Sequence, residues 1–386
     1  MATIFGIASR STTAIQIPGS GEGPGALWVW GRNGEGQLGL GDNVRRSSPV
    51  QLGAATNWSK VAVATGTLAI KTDGTLWSWG ANNSGVLGLN DRANRFSPVQ
   101  VGTGTDWKDV FQDYTVTFAT KTNGTLWAWG ENGSGNLGLN IDPNVAFLGG
   151  ARSSPTQVGS DTNWNIINHS GFGTAAIKTD GTLWVWGLAG SGALGLNDTN
   201  ARSSPTQVGT GSWLDVSLDS NNFSAIRADG TLWSCGSNYS GELGINSRFF
   251  DRSSPVQVGS NTNWKNVRSF LLGTLATKTD GTLWTWGGGR TYILNGQGGY
   301  GTVSSPTQVG TDTNWSFNNV KLSSSTNPPS ISILKTNGTL WMSGDNSYGQ
   351  LGLNNTANRS SPVQIGTDTN WSCISSSLMG AGIKRI

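Results

Sequence analysis

Enzyme chemistry requires a reactive group and a neighbour that activates it, and this chain of 386 residues offers few of either. Its one histidine, His169, sits between Asn168 and Ser170 with no carboxylate close in sequence to orient the ring. A lone histidine in that setting reads as a packed side chain rather than a general base. Cys235 and Cys373 show no metal-ligand spacing, and nothing in their placement suggests a disulfide between them. The glycine-rich stretches "GGGR" (287–290) and "GQGGYG" (296–301) have the composition of phosphate loops. They lack the strand–loop–helix setting that would aim backbone N–H groups at a phosphate, so they read as flexible loops. No catalytic residue, metal or cofactor is expected, and the chain is not expected to be an enzyme.

What the chain does carry in quantity is repeated. Lys71, Lys121, Lys178, Arg227, Lys278, Lys335 and Lys384 recur in one slot, and Arg46, Arg95, Arg152, Arg202, Arg252 and Arg359 in another. Thirteen of the 25 basic side chains are therefore set by repetition, which favours a structural role over a positive ring built for an anionic partner. A net charge of +3 is too small to argue for nucleic acid as a partner.

The element behind these slots is a phrase of the type "GTLWSWGANNSGVLGL" (74–89). Its first tryptophan falls at Trp28, Trp77, Trp127, Trp184, Trp233, Trp284 and Trp341, at intervals of 49, 50, 57, 49, 51 and 57 residues. The second falls at Trp30, Trp79, Trp129, Trp186 and Trp286, with Cys235 and Ser343 in the remaining copies. A third follows a turn such as "GTDTNW", at Trp58, Trp107, Trp164, Trp213, Trp264, Trp315 and Trp371, and these slots hold all 19 tryptophans. Within a copy, "LWSW" alternates with period two, as a strand does. The Asp-Gly or Asn-Gly before it signals a tight hairpin, because that turn needs positive φ. "SPVQVG" adds a strand with proline at its start, where no ladder donor is lost. Three or four short antiparallel strands in about 50 residues, seven times over, predict an all-β, seven-bladed β-propeller with the tryptophans packed between blades.

Both chain ends fall at one point of the repeat. "GIKRI" (382–386) occupies the strand slot of "AIKTD", and the first copy begins at Pro24-Gly25 just before "ALWVW". These two segments are expected to pair and complete a composite closing blade that hides two open edges. Residues 25–386 then form the propeller and residues 1–24 an N-terminal arm, either docked on a partner or frayed.

The wording "GTLWxWGxNxxGxLGL … RSSPVQVG" over residues 25–386 resembles the repeat of the regulator of chromosome condensation family. The resemblance implies a seven-bladed propeller whose blades share strands between adjacent repeats. The chain departs from eukaryotic members where they carry a His-containing phrase and it has "GTLAIKTDG", which weighs against the nucleotide-exchange activity of the namesake. It looks more like bacterial or phage-encoded members, among which a secreted β-lactamase inhibitor protein uses the scaffold for binding alone.

Charged residues are 12% of the chain against a usual value of about 25%. No apolar run is long enough to span a membrane, and the first residues lack a signal-peptide pattern. With abundant Asn, Thr and Ser, this composition favours a non-catalytic binding scaffold on a virion surface or outside a cell. Its expected partner is a protein or glycan, such as a capsid, tail or cell-surface component. The alternative is a soluble regulator: an enzyme inhibitor or a guanine-nucleotide exchange factor.

The binding residues are sought where the repeat breaks down. The loop from "LGL" to "RSSP" is short and polar in four copies, such as "NDRAN" (90–94). In the third copy it becomes "NIDPNVAFLGGA" with Phe147, and in the fifth "NSRFFD" with Phe249 and Phe250. In the sixth it becomes "GGRTYILNGQGGYGTV" with Arg290, Tyr292 and Tyr300. Aromatic side chains with arginine on neighbouring loops of a rigid support have the composition of a recognition patch.

Overall fold

The computed structural model describes residues 4–5, 25–31, 33–141, 150–171, 173–219, 221–270, 273–288, 302–322, 330–344, 346, 351, 353, 355, 357–367, 369, 371–376 and 380–384. Six four-stranded antiparallel sheets follow one another along the chain, all with the same order, and a three-stranded sheet from the start of the chain and a two-stranded one from its end lie side by side as the seventh blade. The result is the expected seven-bladed propeller. Strands are β1 (Ile4–Phe5), β2 (Ala26–Gly31), β3 (Arg46–Gln51), then β4 (Trp58–Val63), β5 (Gly66–Lys71), β6 (Leu76–Gly80) and β7 (Arg95–Gln100), the last four making the first complete blade. Among the described residues the one helical element is a 3-10 turn, Gly190–Gly192.

The turn between β5 and β6 shows why the Asp-Gly pair recurs. Gly74 sits at φ +76°, and a Cβ there would lie 2.0 Å from the Thr105 carbonyl oxygen. Asp73 Oδ1 accepts hydrogen bonds from the Thr75 N–H (3.0 Å) and hydroxyl (2.6 Å). The Thr75 oxygen in turn accepts from Trp77 Nε1 at 2.9 Å. Pro98 lies on β7, the outermost and most exposed strand, whose free edge needs no donor. The strands equivalent to β4 neighbour one another around the ring, so they form its inner wall.

The core lies between blades rather than within them. One cluster joins Leu68 and Leu76 of the first complete blade to Trp107, Val110 and Trp129 of the next, and another joins Phe118 and Leu126 to Trp164, Ala176 and Trp186. Third-slot Trp107 meets first-slot Trp127 and second-slot Trp129 edge-on, with ring centroids 6.0 and 6.2 Å apart. Second-slot Trp129 is fully buried and donates from Nε1 to the Val86 carbonyl of the preceding blade at 2.7 Å. Gly88 of "LGL" lies flat on that indole: at φ +72°, a Cβ would come within 2.9 Å of Nε1. The repeated phrase thus encodes the joint between neighbouring blades.

Two pairs invert the pattern, Phe223 with Cys235 and Ile331 with Ser343. Trp79, Trp129, Trp186 and Trp286 each sit opposite a threonine across the ladder: Thr67, Thr117, Thr174 and Thr274. In the fifth copy Cys235 takes the tryptophan slot and the residue opposite is Phe223. Both are fully buried, so the large and small partners have changed places across the ladder.

The closing blade draws on both chain ends, as expected, but by a different pairing. Instead of "GIKRI" bonding directly to "ALWVW", β1 pairs with β2 in parallel, Ile4 opposite Ala26 and Phe5 opposite Leu27. The hairpin of Trp371–Ser376 and Gly380–Lys384 lies next to these strands. Two residues that the repeat leaves over thereby take up the donors and acceptors along the β2 edge.

Candidate binding surface

One face of the ring carries the β4–β5 turns and the long β6–β7 loops, with their equivalents in the other blades. A buried asparagine fixes each of several long loops. Asn82 Oδ1 accepts from the Leu87 N–H at 2.9 Å, while Nδ2 donates to the Asp91 carbonyl at 3.0 Å. Asn33, Asn132, Asn238 and Asn346 make the same acceptor contact to Leu38, Leu137, Leu243 and Leu351. A loop held in this way is a rigid platform for whatever its tip displays.

In the fifth copy the tip displays aromatic rings. Asn238 still anchors the loop, donating to the Ser247 carbonyl at 3.1 Å, and its own carbonyl accepts from the Phe249 N–H at 2.7 Å. Phe249 holds φ +70°, a region that bulky side chains rarely occupy. That backbone turns its ring edge-on to Tyr239, with centroids 5.4 Å apart, and the Arg248 guanidinium lies 4.7 Å from the Phe249 centroid. Tyr239, Phe249 and Phe250 are 67%, 60% and 66% exposed. Beneath them, Glu242 Oε2 accepts from the Ser240 N–H at 2.7 Å, and burial pushes its carboxyl above the usual range.

Of the six residues expected at a binding patch, Phe249 and Phe250 are thus side by side on the open face. Phe147, Arg290, Tyr292 and Tyr300 lie outside the described residues. Sequence reasoning missed Tyr239 and Arg248. The signal for Tyr239 was available, since an aromatic there replaces Gly34, Asn83 and Gly133 of the first three copies.

The repeated basic residues are largely engaged within the fold. Lys121 Nζ lies 4.9 and 4.8 Å from the Trp107 and Trp127 ring centroids and pairs with Asp106 at 3.1 Å. Lys178 and Lys335 repeat this with Asp161 (2.9 Å) and Asp312 (2.8 Å). In the arginine slot, Arg95 pairs with Asp91 at 2.5 Å and donates to the Ala93 carbonyl at 2.8 Å, and Arg202 pairs with Asp198 at 2.7 Å.

His169 belongs to the buried inner wall. Its Nδ1 is 2.9 Å from the Thr174 hydroxyl, and its Nε2 is 3.9 Å from Asp113 Oδ2, a carboxylate that the fold brings from the neighbouring blade. Further round the wall, Arg268 pairs with Asp215 at 2.8 Å. Burial pushes the Cys235 thiol well above its usual range, which suppresses the thiolate. Among the described residues, no group of three or more His, Cys, Asp or Glu side chains could hold a metal ion, and no helix is long and apolar enough to cross a membrane.

The blades, their tryptophan joints and their anchored loops define a propeller of one particular repeat. Residues 24–68, 73–115, 180–222 and 337–377 match the regulator of chromosome condensation (RCC1) repeat, and the chain is an RCC1-repeat β-propeller. No curated protein matches it by sequence. Among solved structures, human WBSCR16 is similar at a TM-score of 0.75 and 16% identity, over 93% of this chain and 98% of that one. Yeast RCC1 (Prp20), solved with Kap60 bound, is similar at a TM-score of 0.70 and 17% identity, over 93% of this chain and 89% of that one. Prp20p from Saccharomyces cerevisiae, reported with its binding properties to Gsp1p and histones, gives 0.70 and 17% over 92% and 90%. At these identities the likeness is one of fold.

Proposed function

We propose that this propeller is a non-catalytic scaffold that docks a protein through the loop tip bearing Tyr239, Arg248, Phe249 and Phe250. The observation that carries this reading is the exposure of three aromatic rings on a loop whose base is fixed by a buried asparagine. A rigid aromatic cluster loses little conformational entropy on binding and buries a large apolar area. The reported partners of yeast Prp20 are proteins, which supports the same use of the scaffold here. The low charge and the abundance of Asn, Thr and Ser support a place on a virion surface or outside a cell, and mass spectrometry of purified particles and of the secreted fraction tests that location. A soluble regulator is the second reading, favoured by the likeness to Prp20.

The test of the patch is the double variant Phe249→Ala, Phe250→Ala, compared with wild type against a partner captured from the native source. Two hot-spot aromatics at about 2 kcal/mol each predict a loss of affinity on the order of 1,000-fold, with the thermal midpoint unchanged. Wild-type affinity in the folded double variant rejects the patch.

A further inference from the structure

We propose a second binding site, separate from the aromatic patch, that takes a small carboxylate with an apolar body. It is a cleft of about 420 Å³ lined by Leu40, Leu52, Trp58, Lys71, Trp77 and Pro98, among others. Lys71 Nζ stands over two of its walls, 4.9 Å from the Trp58 centroid and 4.3 Å from that of Trp77.

Comparison between copies shows what this lysine lacks. Lys178 and Lys335 are paired with Asp161 and Asp312, which occupy the fourth position of "VGSDTNW" and "VGTDTNW". In the copy serving Lys71 the turn reads "LGAATNW", and the position is Ala55. Where Gly104 stands at that position, an added Cβ would lie 3.3 Å from Trp107 Nε1, 3.9 Å from Lys121 Nζ and 3.3 Å from Asp106 Oδ1, whose counterpart in the Ala55 copy is the uncharged Asn57. The position therefore lies against an indole N–H and an ammonium group together. At Ala55 these are Trp58 Nε1, which like its counterparts Trp164 and Trp315 has no hydrogen-bond partner, and Lys71 Nζ, which unlike Lys178 and Lys335 has no ion pair among the described residues.

Asp73 does not replace the missing carboxylate. Its Oδ1 accepts from the Thr75 N–H and hydroxyl, and its counterpart Asp180 stands near Lys178, which pairs with Asp161 all the same. Three other copies also lack the aspartate, but Lys121 pairs with Asp106 of its own turn instead, and the remaining two cations are enclosed or crowded at this position. Lys278 is 6% exposed, and the Arg227 guanidinium approaches within 3.2 Å of where a Gly211 Cβ would lie. Lys71 is half-exposed and faces the cleft. A ligand carboxylate beside Ala55 would take the role that Asp161 plays for Lys178, while an aromatic or branched body packs on Trp77, Leu40, Leu52 and Pro98. An ammonium group open to a cleft and lacking its counter-ion donates, so an anionic acceptor is the complement.

Calorimetric titration with phenylacetate and with its neutral isostere phenylacetamide tests the site on the full chain. Phenylacetate is expected to bind saturably below about 10 mM, and phenylacetamide about ten-fold more weakly. Ala55→Asp supplies the carboxylate that three sister copies already carry in sequence. It is expected to keep the wild-type thermal midpoint and to weaken phenylacetate at least ten-fold, as is Lys71→Gln. Absence of saturable phenylacetate binding to the wild type overturns the proposal, as does equal binding of acid and amide. Undiminished binding to a folded Ala55→Asp variant also overturns it.

Discussion

The exchange of large and small partners at Phe223 and Cys235 can be reversed by mutation. Phe223→Thr alone removes a fully buried ring, and truncations of that size cost about 3–5 kcal/mol. Cys235→Trp alone forces an indole into space held by the Phe223 ring. At Gly195 a Cβ would already meet Phe223 at 2.9 Å and Cys235 Sγ at 3.1 Å, so overpacking of about 1–3 kcal/mol or more follows. The two together recreate the pair found at Thr117 and Trp129. There the hydroxyl and the indole N–H both donate to the Val86 carbonyl, at 2.8 and 2.7 Å. The Ala193 carbonyl, 3.9 Å from Cys235 Sγ, stands ready as the equivalent acceptor. The double variant recreates a pair that four sister blades accommodate, so it should lose less than about 1.5 kcal/mol, as well-tolerated core swaps do. That leaves a favourable coupling of about 3 kcal/mol or more between the sites. Urea unfolding followed by tryptophan fluorescence measures the four corners of the cycle, with unchanged slopes as the check that only stability has moved. A coupling below about 1 kcal/mol would refute the claim that one pair is the mirror of the other.

Two further outcomes follow from the loops and turns. Asn82→Ala leaves the Leu87 N–H and the Asp91 carbonyl without their buried partner, so a loss of about 2–3 kcal/mol is expected together with faster proteolysis within residues 81–94; a loss below about 0.5 kcal/mol contradicts the anchoring role. Asp73, Asp180, Asp229 and Asp280 are held below the usual carboxylate range, chiefly by the hydroxyl of the threonine two residues on and by its N–H. A depressed folded-state pKa gives stability that is present above the unfolded value and lost as pH falls through the folded one. The thermal midpoint should therefore hold between pH 7 and 5 and fall below about pH 4, and a midpoint that rises on acidification to pH 3 contradicts this.

Period and alternation made the blades legible from sequence because each slot serves the same joint seven times. Trp129 recurs because every blade must cover its neighbour, and Gly88 because that cover leaves no room for a Cβ. What the period could not convey was partnership across the ladder. Cys235 looked like an isolated loss until Phe223 was found opposite it, twelve residues earlier on the neighbouring strand. Closure was half legible: both ends fall at one point of the repeat, but the two-residue strand β1 has no repeat slot to announce it. The Asp113 carboxylate near His169 was hidden for the same reason, since 56 residues separate groups that the ring brings together.

These cases separate two kinds of departure from a repeat. A strand residue is enclosed on both sides, so a change there must be met by a neighbour, as Phe223 meets Cys235, or the packing fails. A loop residue faces water on at least one side, and nothing in the fold has to answer it. Tyr239, Phe249 and Phe250 project their rings from a loop anchored like the others, and no described residue covers them. Ala55 stands where Asp161 and Asp312 pair with Lys178 and Lys335, and no described side chain forms an ion pair with Lys71 in their place. Where the interior compensates a departure, the reason lies in stability. Where it does not, the missing complement is sought outside the chain, and that places both proposed sites on turns and loops rather than on the tryptophan joints.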